Sequence, residues 1–404
     1  MRVCIKPCTL RGSVTAPPSK SMGHRLMICA ALADGISTLR GISDSQDMLA
    51  TLDCLTALGA APSQSGTTLT LRGATAPTAG EVTLPCRESG STLRFLIPVA
   101  LALVGDARLV GSERLMERGV GVYEKLFSEK NITVKHCSDG LYVSGRLTPG
   151  EYVLPGDVSS QFVSGLLFAL PLLDGDSTVR VLPPVESRSY IDMTIAAMAS
   201  FGAEVTEIEL NTFSVKGNQH YRATDMAVEG DWSNAAFLYA LQTLGHAVTV
   251  RGPSTDSLQG DKVCIRLLNE LKNGCPTVDL SNCPDLGPVL FAVAGACHGA
   301  TFTGTRRLQI KESDRARVMA TELAAMGIRA DVGDNTVRVY GGTLTAPDRP
   351  LQGHNDHRIV MALAILLSLV GGDIQGAEAV AKSYPDFFDQ LERLGLEVTY
   401  DMES

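Results

Sequence analysis

The chain has 404 residues, of which 45% are apolar and 20% charged, with a net charge of −9 at neutral pH. That length exceeds one ordinary core and points to two or three domains. The acidic balance excludes a nucleic-acid binder that relies on a basic face, so any anion the protein binds must meet positive charge gathered locally.

The first twenty residues mix Arg2, Lys6 and Arg11 with prolines and carry no apolar core segment, so no secretory leader is expected and the reading is a cytoplasmic protein. "PPSKSMGHRLMICAALADG" follows, residues 17–35: a rigid Pro-Pro, then Lys20, Ser21 and, one turn on, Arg25, before an apolar helix that ends at Gly35. That unit recurs. Apolar helix, glycine and short strand appear at Gly35, Gly105, Gly175, Gly245, Gly299 and Gly371, at steps of 70, 70, 70, 54 and 72 residues. A second echo, a helix ending in a glycine turn before alternating residues, falls near Gly59, Gly202, Gly327 and Gly395, with weaker versions near Asn131 and Gly274. Six units of about 70 residues exceed the common solenoid periods. Each has room for two helices and three or four strands, which predicts an α/β protein of six similar subdomains.

Upstream of each glycine, where the apolar helix opens, lies a polar cluster: "SKSMGHR", "CRESGSTLR", "DVSSQF", "GDWSN", "NCPDLG" and "HNDHR". The first four amides of a helix lack internal partners and the dipole adds positive charge, so such ends cap locally and also suit anions. An exposed anion gains only about 0.3–1 kcal/mol from a helix end. A charge-assisted hydrogen bond gives about 1.5–3 kcal/mol. Arg25, Arg94 and Arg358 beside the caps would therefore dominate anion binding.

Further on, "RRLQIKESDRARVMATEL", residues 306–323, places Lys311, Glu312, Asp314 and Arg315 at the start of a helix. "HNDHRIVMALAI" puts Asp356, His357 and Arg358 at another, and adjacent residues there point apart, which argues against a metal site through His354, Asp356 and His357. Its apolar run, Ile359–Val370, is too short to span a bilayer. "LMERGVG" contributes Arg118, and "AKSYPDFFDQLERLG" holds Lys382 ahead of an amphipathic last helix. The ten cysteines show no C-x-x-C pair or Cys/His ligand spacing and read as small buried thiols. Neither a phosphate-binding G-x-x-x-x-G-K nor a G-x-G-x-x-G after a strand is present, so no nucleotide or metal cofactor is expected.

Taken together, "PPSKSMGHR", "ESGSTLRF", "LMERGVG", "DVSSQFVSGLL", "SRSYIDMT", "CPDLG", "IKESDR", "NDHRIVM" and "AKSYPDFFDQL" resemble the EPSP synthase family of enolpyruvyl transferases, in that family's order and over essentially the whole chain. The resemblance implies transfer of the enolpyruvyl group of phosphoenolpyruvate to the 5-hydroxyl of shikimate 3-phosphate, with release of phosphate, in the shikimate pathway to aromatic amino acids. It implies a two-domain, inside-out α/β barrel, each domain built of three βαβαββ repeats with helix N-termini facing an interdomain cleft. The domains would be residues 18–226, and 1–17 with 227–404, hinged at Pro17-Pro18 and "TDMAVEGD" and closing on substrate.

Residues matching the family's shikimate 3-phosphate site are Lys20, Ser21, Arg25, Ser159, Ser160, Gln161, Ser187, Asp285 and Lys311, with Tyr190 nearby. Those matching its phosphoenolpyruvate ligands are Lys20, Gly90, Arg118, Gln161, Arg315, Arg358 and Lys382. Asp285 matches the base at the hydroxyl, while Glu312 and Lys20 match the groups serving the methylene carbon. A carboxylate among so many cations ionises readily, which suits a base better than an acid. The same resemblance implies a monomer without cofactor, metal, nucleic-acid or membrane partner, inhibited by glyphosate. The sequence departs from common family patterns at Glu88, Gly119 and Arg307. A UDP-N-acetylglucosamine enolpyruvyl transferase would carry a Lys-Asn pair and a Cys near Arg118, where this chain has Lys20-Ser21 and no Cys. A non-catalytic anion-binding protein of the same fold would be expected to have lost Asp285 or Glu312, and both stand.

Overall fold

The computed structural model describes residues 1–74 and 81–401. These divide into two compact units, 18–229 and 1–17 with 230–404. The second crossing falls three residues later than expected. Met226–Ala227 pairs in parallel with Leu39 and Arg40, and Ser19 N–H donates to Glu229 O at 2.7 Å, which ties the segment to the unit before it.

One sheet pattern repeats. The strand Val82–Arg87 leads into the helix Gly90–Leu103 and returns as the parallel strand Asp106–Gly111. The hairpin Thr133–Cys137 and Gly140–Ser144 then adds antiparallel, its second strand inside and its first at the edge. Residues 150–215 and 277–340 build the same four-stranded sheet. Two further sheets borrow a strand from a distance. Met226–Ala227 completes the sheet of residues 36–72, and Arg2–Lys6 enters antiparallel between Gly372–Gln375 and Glu397–Asp401. N-terminal residues thus complete a sheet made otherwise from the end of the chain.

The unit around Gly245 differs. Among the described residues Ala247–Arg251 pairs in parallel with Arg11–Thr15 alone, and the helix Cys264–Asn273 is followed by Thr277–Asp279, the first strand of the next unit. The absent hairpin accounts for the 54-residue step. Among the six glycines, Gly35, Gly105, Gly245, Gly299 and Gly371 hold positive φ, whereas Gly175 does not.

In every unit the first helix is the buried one. Gly287–Ala296, "GPVLFAVAGA", is apolar on all sides and has nine buried residues, and Lys20–Leu32, Gly90–Leu103, Ser160–Ala169, Trp232–Thr243 and His357–Val370 are nearly as enclosed. The second helices are one-sided: Cys264–Asn273 buries Cys264, Leu267, Leu268 and Leu271, a single stripe. Gly165 lets two buried helices meet, since a Cβ there would lie 2.4 Å from Tyr123 Oη and 2.5 Å from Arg94 O.

No helix among the described residues is long and apolar enough to cross a membrane, and no group of three or more His, Cys, Asp or Glu is placed to hold a metal ion. All ten cysteines are free; Cys29, Cys54, Cys86, Cys264 and Cys283 are buried, but Cys137 and Cys275 are exposed, against the expectation of buried thiols throughout. Cys137 ends the exposed edge strand Thr133–Cys137 and Cys275 lies in the loop between Cys264–Asn273 and Thr277–Asp279, where a thiol has no core to enter.

Candidate active site

Five of the six polar clusters place an N-cap. Ser19 accepts from Met22 N, Ser89 from Thr92 N, Ser159 from Gln161 N, Asp231 from Asn234 N and Asp356 from Arg358 N, so each buried helix starts where its cluster sits. The sixth, "NCPDLG", forms a short 3₁₀ turn, Pro284–Leu286, which carries Asp285 into the start of Gly287–Ala296.

In the unit 18–229, Lys20 Nζ lies 2.7 Å from Asp47 Oδ2, both side chains being mostly buried. Arg25, 2% exposed, donates from Nε to Thr194 Oγ1 (2.8 Å), from Nη1 to the Ser21 carbonyl (2.6 Å) and from Nη2 to the Tyr190 carbonyl (3.0 Å). Its guanidinium also sits over the rings of Phe95 and Tyr190. Burial lowers its pKa to about 10, which still leaves the charge in place at neutral pH. Ser187 takes a left-handed φ of 56° just before the helix Arg188–Ser200, and its carbonyl accepts from Tyr190 N at 3.1 Å. Thr194 in turn meets Ser164 Oγ at 2.7 Å, which links this group to the helix opened by Ser159, Ser160 and Gln161.

Gln161 is held at both ends: its Oε1 accepts from Arg94 Nη1 (2.9 Å) and its Nε2 donates to Ser91 Oγ (3.0 Å). Arg94 Nη2 donates to the carbonyls of Arg118 and Gly119, both at 3.1 Å. Gly90 opens its helix beneath these cations. A Cβ there would lie 2.8 Å from Arg118 Nη2 and 2.9 Å from Arg94 Nη1. Gly119, one of the departures from the family pattern, has φ +66°, a conformation closed to proline, in the backbone just after Arg118. The structure therefore groups Gly90, Arg118 and Gln161 through Arg94, and Ser21, Arg25, Tyr190 and Ser187 through backbone carbonyls.

In the unit 1–17 with 230–404, Asp285 is the hub. Its Oδ1 accepts from Lys311 Nζ (3.1 Å) and Arg315 Nη1 (2.9 Å), and its Oδ2 from Arg358 Nη2 (3.0 Å). Arg315, 1% exposed, also donates from Nε to Asp356 Oδ2 (2.8 Å) and from Nη2 to Glu312 Oε2 (2.7 Å). Burial opposes its charge, but Asp356, Glu312 and Asp285 raise its pKa on balance. Burial pulls the Lys311 ammonium down to about 8, with Asp285 opposing and Arg315 and Arg307 adding to the fall. Arg358 is 4% exposed, and its Nε and Nη1 donate no hydrogen bond among the described residues. Lys382 Nζ donates to the Asn355 carbonyl at 2.6 Å.

Sequence reasoning missed the acids that hold these cations. Asp47 stands 27 residues from Lys20, and nothing local signals the pairing. Asp261, 1% exposed, accepts from Ser233 Oγ, while its Oδ1 has no hydrogen-bond partner among the described residues. Burial and then the charge of Asp285 push its carboxyl up to about 6, with the Ser233 bond opposing. Helix starts that carry a cation beside a cap were the readable signal; their long-range carboxylate partners were not.

A family model described as EPSP synthase (3-phosphoshikimate 1-carboxyvinyltransferase) matches residues 5–275 and 269–391. The 3-phosphoshikimate 1-carboxyvinyltransferase of Clostridium kluyveri is 39% identical over 98% of both chains, and that of Clostridioides difficile is 36% identical over 97% of both. Among solved structures, an EPSP synthase from Acinetobacter baumannii has a TM-score of 0.78 at 23% identity, covering 99% of this chain and 100% of that one. The enolpyruvyl transferase NikO from Streptomyces tendae has a TM-score of 0.78 at 19% identity, covering 99% of this chain and 98% of its own. These two likenesses carry the two-domain α/β fold. The family match and the close relatives carry more: the chain is an enzyme that belongs to the EPSP synthase (3-phosphoshikimate 1-carboxyvinyltransferase) family.

Proposed function

We propose that the protein transfers the enolpyruvyl group of phosphoenolpyruvate to the 5-hydroxyl of shikimate 3-phosphate, giving 5-enolpyruvylshikimate 3-phosphate and phosphate. The observation that carries this reading is the meeting of Lys311, Arg315 and Arg358 on the single carboxylate of Asp285 at three helix starts. Such a carboxylate is fixed in position, and one of its cations, Arg358, keeps Nε and Nη1 available for an anionic substrate.

The reaction adds an alcohol across the carbon–carbon double bond of an enol phosphate. The hydroxyl proton leaves to a base as oxygen attacks C2 of phosphoenolpyruvate and the methylene carbon gains a proton; the tetrahedral adduct then loses a methyl proton and expels phosphate. Asp285 is the base at the hydroxyl, and Glu312 with Lys20 serves the methylene carbon. Lys20, Ser21, Arg25, Ser159, Ser160, Gln161, Ser187 and Lys311 hold shikimate 3-phosphate. Lys20, Gly90, Arg118, Gln161, Arg315, Arg358 and Lys382 hold phosphoenolpyruvate. Because Arg315 already meets three carboxylates, it binds substrate by exchanging Glu312 for the substrate's carboxylate, which releases Glu312 for proton transfer.

On this reading the enzyme works as a cytoplasmic monomer with no cofactor, and glyphosate inhibits it. The test is phosphate release on mixing both substrates, repeated with Asp285→Ala. Loss of a general base lowers kcat by roughly 10²- to 10⁴-fold. No phosphate release by the unaltered enzyme would overturn the reaction, and a variant within a few-fold of it would overturn the base.

A further inference from the structure

Glu322 sits two turns into the helix Arg315–Ala325, 1% exposed, and no role in the chemistry falls to it. Three donors from residues 349–354, around the short strand Leu351–Gln352, converge on its carboxylate. Arg349 Nη1 reaches Oε2 at 2.8 Å, Gln352 N–H reaches Oε2 at 3.2 Å, and His354 Nε2 meets Oε1 at 2.9 Å. Since a carboxylate can only accept, His354 carries its proton on Nε2 in this contact.

The chain immediately beyond is strained. His354 and Asn355 both hold left-handed φ, 51° and 52°, where a residue with a side chain sits at a cost of order 1–3 kcal/mol unless its surroundings enforce it. The double turn has two products. It aims the Asn355 carbonyl at Lys382 Nζ, 2.6 Å away, and it delivers Asp356 to cap the helix His357–Val370 and to receive Arg315. The helix Arg315–Ala325 therefore grips this turn twice, by Arg315 at its start and by Glu322 two turns later.

We propose that Glu322 is a positioning residue for phosphoenolpyruvate: by clamping Arg349, Gln352 and His354 it enforces the His354–Asn355 turn, and the Asn355 carbonyl then sets the place of the Lys382 ammonium. The proposal rests on the assignment of Lys382 as a phosphoenolpyruvate ligand. Glu322→Gln keeps the shape but loses the charge and one acceptor oxygen. It leaves the turn underheld without touching a substrate-binding side chain.

The experiment is a double-mutant cycle on the intact enzyme, with steady-state constants for each substrate. Glu322→Gln raises the KM for phosphoenolpyruvate about tenfold, the size of one charged hydrogen bond lost, and leaves the KM for shikimate 3-phosphate within about twofold. In a Lys382→Met background the same substitution adds nothing further. His354→Ala, on the partly exposed rim, gives a smaller rise of the same kind and serves where Glu322→Gln folds poorly. Equal rises in both KM values, or full additivity with Lys382→Met, would overturn the positioning role. An unchanged KM for phosphoenolpyruvate in Lys382→Met alone would instead sink the ligand assignment beneath it.

Discussion

A methyl group at Gly90 would press on two guanidinium tips, Arg118 Nη2 and Arg94 Nη1, and on no backbone atom among its nearest neighbours. Guanidinium tips can shift, so Gly90→Ala is expected to fold normally and to displace Arg118 instead. The KM for phosphoenolpyruvate then rises more than that for shikimate 3-phosphate, by about tenfold if one charged contact is lost; equal changes in the two constants would contradict this. Lys311 supplies a second prediction at this scale. Its ammonium titrates near 8, below the ordinary lysine value, so the cation is present below that pH and disappears above it. The kcat/KM for shikimate 3-phosphate should fall as pH rises through about 8. Lys311→Arg, which stays charged, should flatten that limb of the profile; a limb that persists would assign the titration to another group.

Among the described helix glycines, Gly165 leaves the least room for a side chain, since an added Cβ meets the Arg94 carbonyl and the Tyr123 hydroxyl. Ala is favoured over Gly by about 1 kcal/mol in a helix interior. Here a backbone oxygen 2.5 Å away cannot step aside, so overpacking of about 1–3 kcal/mol wins and Gly165→Ala lowers the thermal midpoint. Asp261, in the turn Gly260–Val263, works the other way. Its folded pKa, near 6, lies above the unfolded value, so the native state holds that proton more tightly. Stability from this group is present below about pH 4 and lost as pH rises through 6. Asp261→Asn should therefore raise the melting temperature at pH 8, and the gain should vanish at pH 4.

What the sequence disclosed follows the same division of near and far. Caps at Ser19, Ser89, Ser159, Asp231 and Asp356 were readable because a cap bonds within its own turn. The six-unit plan was readable because helix-ending glycines recur, and even the short fourth step was visible as a number, though not as a lost hairpin. Asp47, Asp261 and Glu322 stayed hidden. Each is an ordinary acid on its own turn or helix and gains its meaning from residues 27 to 32 positions away.

At the scale of the molecule, the two units are unequal in chain continuity. Residues 18–229 form one unbroken segment whose sheets, including the strand Met226–Ala227, are completed from within. A fragment of residues 18–229 should therefore fold alone, with cooperative melting and dispersed amide resonances. The other unit needs its first 17 residues: without Arg2–Lys6 a four-stranded sheet splits between Gly372–Gln375 and Glu397–Asp401, and without Arg11–Thr15 the strand Ala247–Arg251 has no neighbour. A fragment of residues 230–404 should stay unfolded until a peptide of residues 1–17 is added, as read by circular dichroism.

The pairing of Arg2–Lys6 with Gly372–Gln375 and Glu397–Asp401 also sets an order of events on the ribosome. The first strand emerges long before its partners are translated and must wait as an unpaired edge while a whole neighbouring lobe completes itself. Its alternating Arg2, Cys4 and Lys6 place charge at both ends of that waiting segment, which discourages it from adding to the sheet of another nascent chain.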